Sequence, residues 1–69
     1  MSVGENIRRY RKSRGMTQAQ LAEATGLTEG AVRHYESGIR AVKPELLESI
    51  ADALGVSVNA LKDYGVETA

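Results

Sequence analysis

The sequence predicts an all-α fold, a compact bundle of five helices, and two stretches carry that prediction. Residues 17–38, TQAQLAEATGLTEGAVRHYESG, read as two short helices meeting at a tight corner, and the rest of the chain is arranged around them. Residues 44–55 set Leu47, Ile50, Ala51 and Leu54 at the i, i+3, i+4, i+7 spacing of a helix with one buried face. The 69 residues make one small domain, of a size that buries only about 60% of the surface its unfolded form exposes. With no cysteine the chain has no disulfide and no thiolate metal site, a composition suited to a reducing cytosol. No apolar run nears the roughly 18 residues of a membrane span, and the N-terminus has no signal-peptide pattern. The expectation is a soluble, cytoplasmic protein with no membrane contact.

The first helix is expected from residue 2 or 3 to residue 13. Val3, Ile7 and Tyr10 share one face, while Arg8, Arg9 and Lys12 stand outside, where they either graze phosphates or keep the protein soluble. Arg14 and Gly15 end it, and Met16 tucks into the core just ahead of Thr17, in the place of a hydrophobic staple. The second helix, residues 18–24, opens on Thr17 with Gln20 three residues on, the two halves of a capping box. Leu21 and Ala22 face inward, and Gly26 takes the positive φ of the corner. Thr28 caps the third helix, residues 29–36, whose apolar stripe is Val32 and Tyr35, with the Tyr35 ring in the core and its hydroxyl at the rim. Gly38 closes that helix. A loop over residues 37–43 then leads to Pro44, which starts the fourth helix where its missing N–H does no harm, and Gly55 stops it. Ser57 caps a fifth helix over residues 58–62, with Leu61 closing the core and Val56 beside it. The domain is expected to span residues 1–63, leaving residues 64–69 as a frayed tail, the start of a linker in a longer protein.

Helices that cross steeply after so short a turn must approach closely, so the crossing needs small or medium side chains. Gln18, Ala22 four places on, Gly26 four further and Val32 six further meet that need. In order, the string from Arg11 to Val56 resembles the helix-turn-helix of the phage repressor and Cro type, the XRE family of small bacterial DNA-binding domains. The resemblance implies a lambda-repressor-like bundle whose second and third helices form the helix-turn-helix. It also implies a transcriptional regulator that binds double-stranded DNA sequence-specifically. The start of the third helix would lie in the major groove, so that Thr28, Glu29, Gly30, Arg33 and His34 meet the bases. Backbone contacts are implied for Gln18, a phosphate anchor at the start of the second helix, and for Arg40 and Lys43 in the loop after the third. Arg11 and Glu36 are implied to form a partly buried ion pair clamping the first helix to the third. Ile39 stands where the family commonly has a Lys, and is either a small interaction surface or without a role. Regulators of this family bind as two-fold homodimers. The dimer surface is expected around the fifth helix, where Val56, Val58 and Leu61 cluster, or in a further C-terminal domain of a longer chain.

The formal net charge is zero, but it is unevenly spread. Residues 1–40 hold seven Lys and Arg against four Asp and Glu, and residues 41–69 hold two against five, so a basic end can face a phosphate backbone. Arg33 is the foremost base-reading candidate, because a guanidinium holds guanine O6 and N7 together. Glu29 can accept from a cytosine amino group but repels a misplaced phosphate. Gly30 has nothing to read with, and marks either a close approach to DNA or a helix that reads little. His34 is a polar contact with no second His or any Cys to join it, so neither a metal nor a cofactor is expected. One His and no Cys provide no nucleophile–base–orienter set, which argues against an enzyme. The competing function is a protein-interaction module or antitoxin-type partner-binder on the same fold, kept open by Glu29, Gly30 and the zero net charge.

Overall fold

The computed structural model describes residues 2–62. They form five helices: α1 (Val3–Ser13), α2 (Gln18–Thr25), α3 (Glu29–Ser37), α4 (Pro44–Leu54) and α5 (Val58–Lys62), with no strand among the described residues. The expected all-α bundle is present, and α2 and α3 each run one residue further than the sequence suggests. The expected tail lies outside the described residues.

Four of the five helices begin where a side chain accepts from an open first-turn N–H, and α4 begins instead on Pro44. Thr17 Oγ1 accepts from the Gln20 N–H at 3.0 Å while Gln20 accepts from the Thr17 N–H at 2.8 Å. Ser2 and Glu5 make the same reciprocal pair at the head of α1, at 3.1 and 3.0 Å, a capping box that the S-x-x-E spelling carries and the sequence reading passed over. Thr28 and Ser57 cap α3 and α5 by accepting from the N–H groups of Ala31 and Ala60, each at 3.1 Å. At the corner between α2 and α3, Gly26 has φ 74°, and the Leu27 N–H reaches back to the Ala22 carbonyl at 2.9 Å. A side chain at that φ would be strained, so the sharpness of the corner depends on glycine.

The core is Ile7, Leu21, Ala22, Val32, Leu47, Ile50, Ala51, Leu54 and Leu61, with Val3, Tyr10, Met16, Val56 and Val58 packed partly buried against it. Every helix contributes at least one of these side chains, and each fully buried one stabilises the fold by about 1.5–3 kcal/mol relative to leaving it in water. α5 has only 5 residues, too few to hold a helix unaided. It is fixed by Leu61, which has no exposed surface, and by buried Asn6, whose Nδ2 donates to the Leu61 carbonyl at 2.8 Å. Arg14 Nε donates to the Leu54 carbonyl at 2.7 Å, placing a cation on the negative end of α4.

Two expectations are corrected here. Leu61 cannot belong to a dimer surface, because it is fully interior, and Val56 and Val58 are themselves half-buried against the core. The Tyr35 ring lies outside the core. The inner side of α3 runs Val32 to Glu36, a spacing of four rather than three, so Tyr35 is turned to the flank, half-buried, with Arg40 Cζ 5.6 Å from its ring centroid. At Gly4 the backbones of α1 and α3 approach closely: a Cβ there would press on the Tyr35 carbonyl oxygen and lie 2.7 Å from that of Glu36.

Candidate nucleic-acid interface

The orientation of α3 is set by one carboxylate. Arg11 Nε donates to Glu36 Oε2 at 2.6 Å and Nη2 donates to Oε1 at 3.1 Å, a two-pronged pair with side chains 9% and 3% exposed. Arg11 Nη1 donates to the Met16 carbonyl at 2.8 Å, so one guanidinium ties α3 to the turn ahead of α2. The pair implied by the resemblance is therefore present, and more deeply buried than the term "partly" suggests. Gln18 adds a third donor: its Nε2 reaches Glu36 Oε1 at 3.1 Å. The half-buried side chain of Gln18, expected as a phosphate anchor, is thus held against α3 at the foot of α2.

With Val32 and Glu36 turned inward, the opposite side of α3 is open. Thr28, Glu29 and Arg33 are exposed and Gly30 and His34 are half-buried. Thr28 spends its oxygen on the α3 cap, which leaves its hydroxyl hydrogen for an outside acceptor. Gly30 is not in the left-handed region, and a Cβ there would meet only Arg33 Nη1, at an ordinary 3.9 Å. Its lack of a side chain is therefore not demanded by the free fold. Gly30→Ala is expected to raise stability by about 0.5–1 kcal/mol, read as a rise in the thermal midpoint of a few degrees. A fall would show that the backbone at Gly30 is constrained in a way its geometry does not reveal.

The loop after α3 carries two exposed cations. Arg40 is exposed, its N–H donates to the His34 carbonyl at 3.3 Å, and its guanidinium stands over Tyr35. Lys43 occupies the N-cap position of α4 but makes no side-chain cap bond, leaving its ammonium exposed. Ile39, between Gly38 and Arg40, is 76% exposed. Among the described residues no group of His, Asp or Glu is arranged to hold a metal ion, and no helix is long and apolar enough to cross a membrane.

The family described as "Helix-turn-helix" matches residues 7–61. The immunity repressor protein of Bacillus phage phi105 is 38% identical over 68 residues, covering 99% of this chain and 46% of that protein. Antitoxin PezA of Streptococcus pneumoniae is 33% identical over 72 aligned positions, 90% of this chain and 46% of that protein. The chain spans about half the length of these relatives. Among solved structures, the P22 c2 repressor in complex with synthetic operator 9T superposes with a TM-score of 0.84 at 29% identity, covering 90% of this chain and 94% of that one. SinR, the master regulator for biofilm formation, in complex with DNA gives 0.80 at 30% identity, over 86% of this chain and 95% of that one. The matched span holds both α2 and α3, the Gly26 corner between them and both partners of the Arg11–Glu36 pair, and the chain belongs to the XRE family of helix-turn-helix domains.

Proposed function

We propose that this chain is the DNA-binding head of a bacterial or phage transcriptional regulator, and that it binds double-stranded DNA sequence-specifically by laying α3 in the major groove. The observation that carries this reading is the division of α3: Val32 and Glu36 are locked inward while Glu29 and Arg33 stand exposed. The P22 c2 repressor and SinR, both solved with DNA, share the fold. Thr28, Glu29, Gly30, Arg33 and His34 meet base edges in this reading, and Gln18, Arg40 and Lys43 meet phosphates. The chain acts by binding alone, without catalysis or cofactor, in the cytoplasm on the nucleoid, and as a two-fold dimer on paired half-sites.

Selection from random duplexes at two salt concentrations tests this. An enriched palindrome is expected, and its spacing reports the dimer. Arg33→Ala is expected to relax preference at one base pair, a loss of about 1–3 kcal/mol of discrimination. Lys43→Ala is expected to weaken all duplexes alike and lower the salt slope by about one. An unchanged selected sequence for Arg33→Ala would remove that residue from the base contacts. The likeness to Antitoxin PezA favours a second use of the same head, recruitment of a protein partner, which absence of any enriched duplex would bring forward.

A further inference from the structure

Arg40 is tied back to α3 at both its backbone and its side chain. Gly38, at φ 85°, turns the chain after the helix, and the Arg40 N–H donates to the His34 carbonyl at 3.3 Å. The guanidinium then rests over the next side chain of the helix, with Cζ 5.6 Å from the centroid of the Tyr35 ring. A cation at that distance is attracted to the negative face of the ring. The ring belongs to a fixed platform. Tyr35 is half-buried, and its backbone lies hard against α1, where a Cβ on Gly4 would press on the Tyr35 carbonyl oxygen.

Attraction to a ring face takes none of the guanidinium's hydrogen-bond capacity. The Arg40 side chain is exposed and makes no hydrogen bond or ion pair among the described residues, so its N–H donors remain for an outside acceptor. Lys43, the other cation of the loop, has no such support: its ammonium makes neither a cap bond nor a ring contact among the described residues. The difference bears on how each can hold an anion. A long side chain that passes from free rotation to one bound geometry gives up roughly two- to tenfold in affinity. A ring that already limits where the guanidinium goes removes part of that loss before the anion arrives. We propose that Tyr35 is a positioning residue for DNA binding, its ring holding the Arg40 guanidinium ready for a backbone phosphate. The proposal rests on the DNA-binding reading above and deepens it, giving a part in recognition to a flank residue of α3 that meets no base.

The test is titration of a labelled duplex with the whole chain across a salt series, for wild type, Tyr35→Phe, Tyr35→Leu, Arg40→Gln and the double variant Tyr35→Leu, Arg40→Gln. Tyr35→Leu is expected to weaken binding about two- to fivefold, the worth of one exposed cation–ring contact. The slope of log Kd against log salt should stay at the wild-type value, because the phosphate is still neutralised. Arg40→Gln is expected to lower that slope by about one, and adding Tyr35→Leu to it should change nothing further. Tyr35→Phe keeps the ring and is expected to bind as wild type does. In the free wild-type chain, NMR should show the Arg40 Hδ protons shifted upfield by the ring, a shift that Tyr35→Leu abolishes. A Tyr35→Leu loss that persists in the Arg40→Gln background overturns the proposal in favour of a packing role. Equal losses in Tyr35→Phe and Tyr35→Leu overturn it in favour of the hydroxyl. Unshifted Arg40 protons in wild type overturn it without any variant having to fold. Wild-type binding that Tyr35→Leu leaves untouched ends the proposal alone, whereas a wild-type chain that binds no duplex even in dilute salt takes down the DNA reading and the proposal together.

Discussion

Glu36→Ala is expected to destabilise the domain by about 3–5 kcal/mol. The carboxylate accepts from Arg11 twice and from Gln18 once, in a site where its side chain is 3% exposed. Removing it strands a guanidinium that is 9% exposed and cannot turn fully to water. Native domains hold roughly 0.05–0.15 kcal/mol per residue, so a chain this short loses most of its margin. A midpoint drop well beyond about 10 °C is expected, since about 1 kcal/mol moves a domain of this size by roughly 4–8 °C. Arg11→Met alone should cost nearly as much, because it leaves Glu36 buried and also frees the Met16 carbonyl. The double variant Arg11→Met, Glu36→Leu is expected to recover much of the loss, as apolar replacements of a buried pair do. Urea denaturation of wild type, Arg11→Met, Glu36→Leu and the double variant closes the cycle. Single-variant losses under about 1 kcal/mol would mean that water screens the pair as it does a surface bridge.

Gly4→Ala is the second large effect, expected to cost about 2–3 kcal/mol, at the upper end of what an extra methyl does in a packed site. Alanine is the better helix former, so local propensity alone would predict a gain. The obstacle is α3: the added Cβ would lie 2.7 Å from the Glu36 carbonyl oxygen and press on that of Tyr35, and both are backbone atoms that cannot rotate away. α1 must back off, which also pulls Arg11 from Glu36. The opposite signs expected for Gly4→Ala and Gly30→Ala make a paired test, because one substitution in two helices separates propensity from packing. If Gly4→Ala unfolds no earlier than wild type, α1 and α3 have more play than their spacing implies.

What could be read from the chain were features with a local spelling. Capping residues sit a fixed three places from their partners, the α4 stripe repeats every three or four, and glycines mark the corners, so all five helices and most of the core follow from short-range pattern. Arg11 with Glu36 came from a resemblance, not from spacing. What escaped depends on partners far along the chain. Asn6 bonds to Leu61 across 55 residues, and nothing near Asn6 announces a buried amide. Gly4 also escaped, although a glycine inside a helical pattern, costly by about 1 kcal/mol, is a signal for close packing. Tyr35 was misplaced because periodicity allows either Tyr35 or Glu36 beside Val32, and the ion pair decided for Glu36. In the site, Glu29, Gly30, Arg33 and His34 lie on α3 with Thr28 as its cap, Arg40 and Lys43 follow in the loop, and Gln18 stands apart on α2. The hold of Gln18 on Glu36 exists only once α2 and α3 have packed.

The division of labour within α3 has a consequence for how such a domain can diverge. Its anchoring is confined to Val32 and Glu36, and the Thr28 cap is the one structural duty on the outward side. The side chains at positions 29, 33 and 34 make no hydrogen bond to the rest of the fold among the described residues, and position 30 has none, so variation at these four draws little on the stability reserve. New targets can be explored one substitution at a time while the scaffold stays folded, so that preference can drift in a lineage much faster than shape.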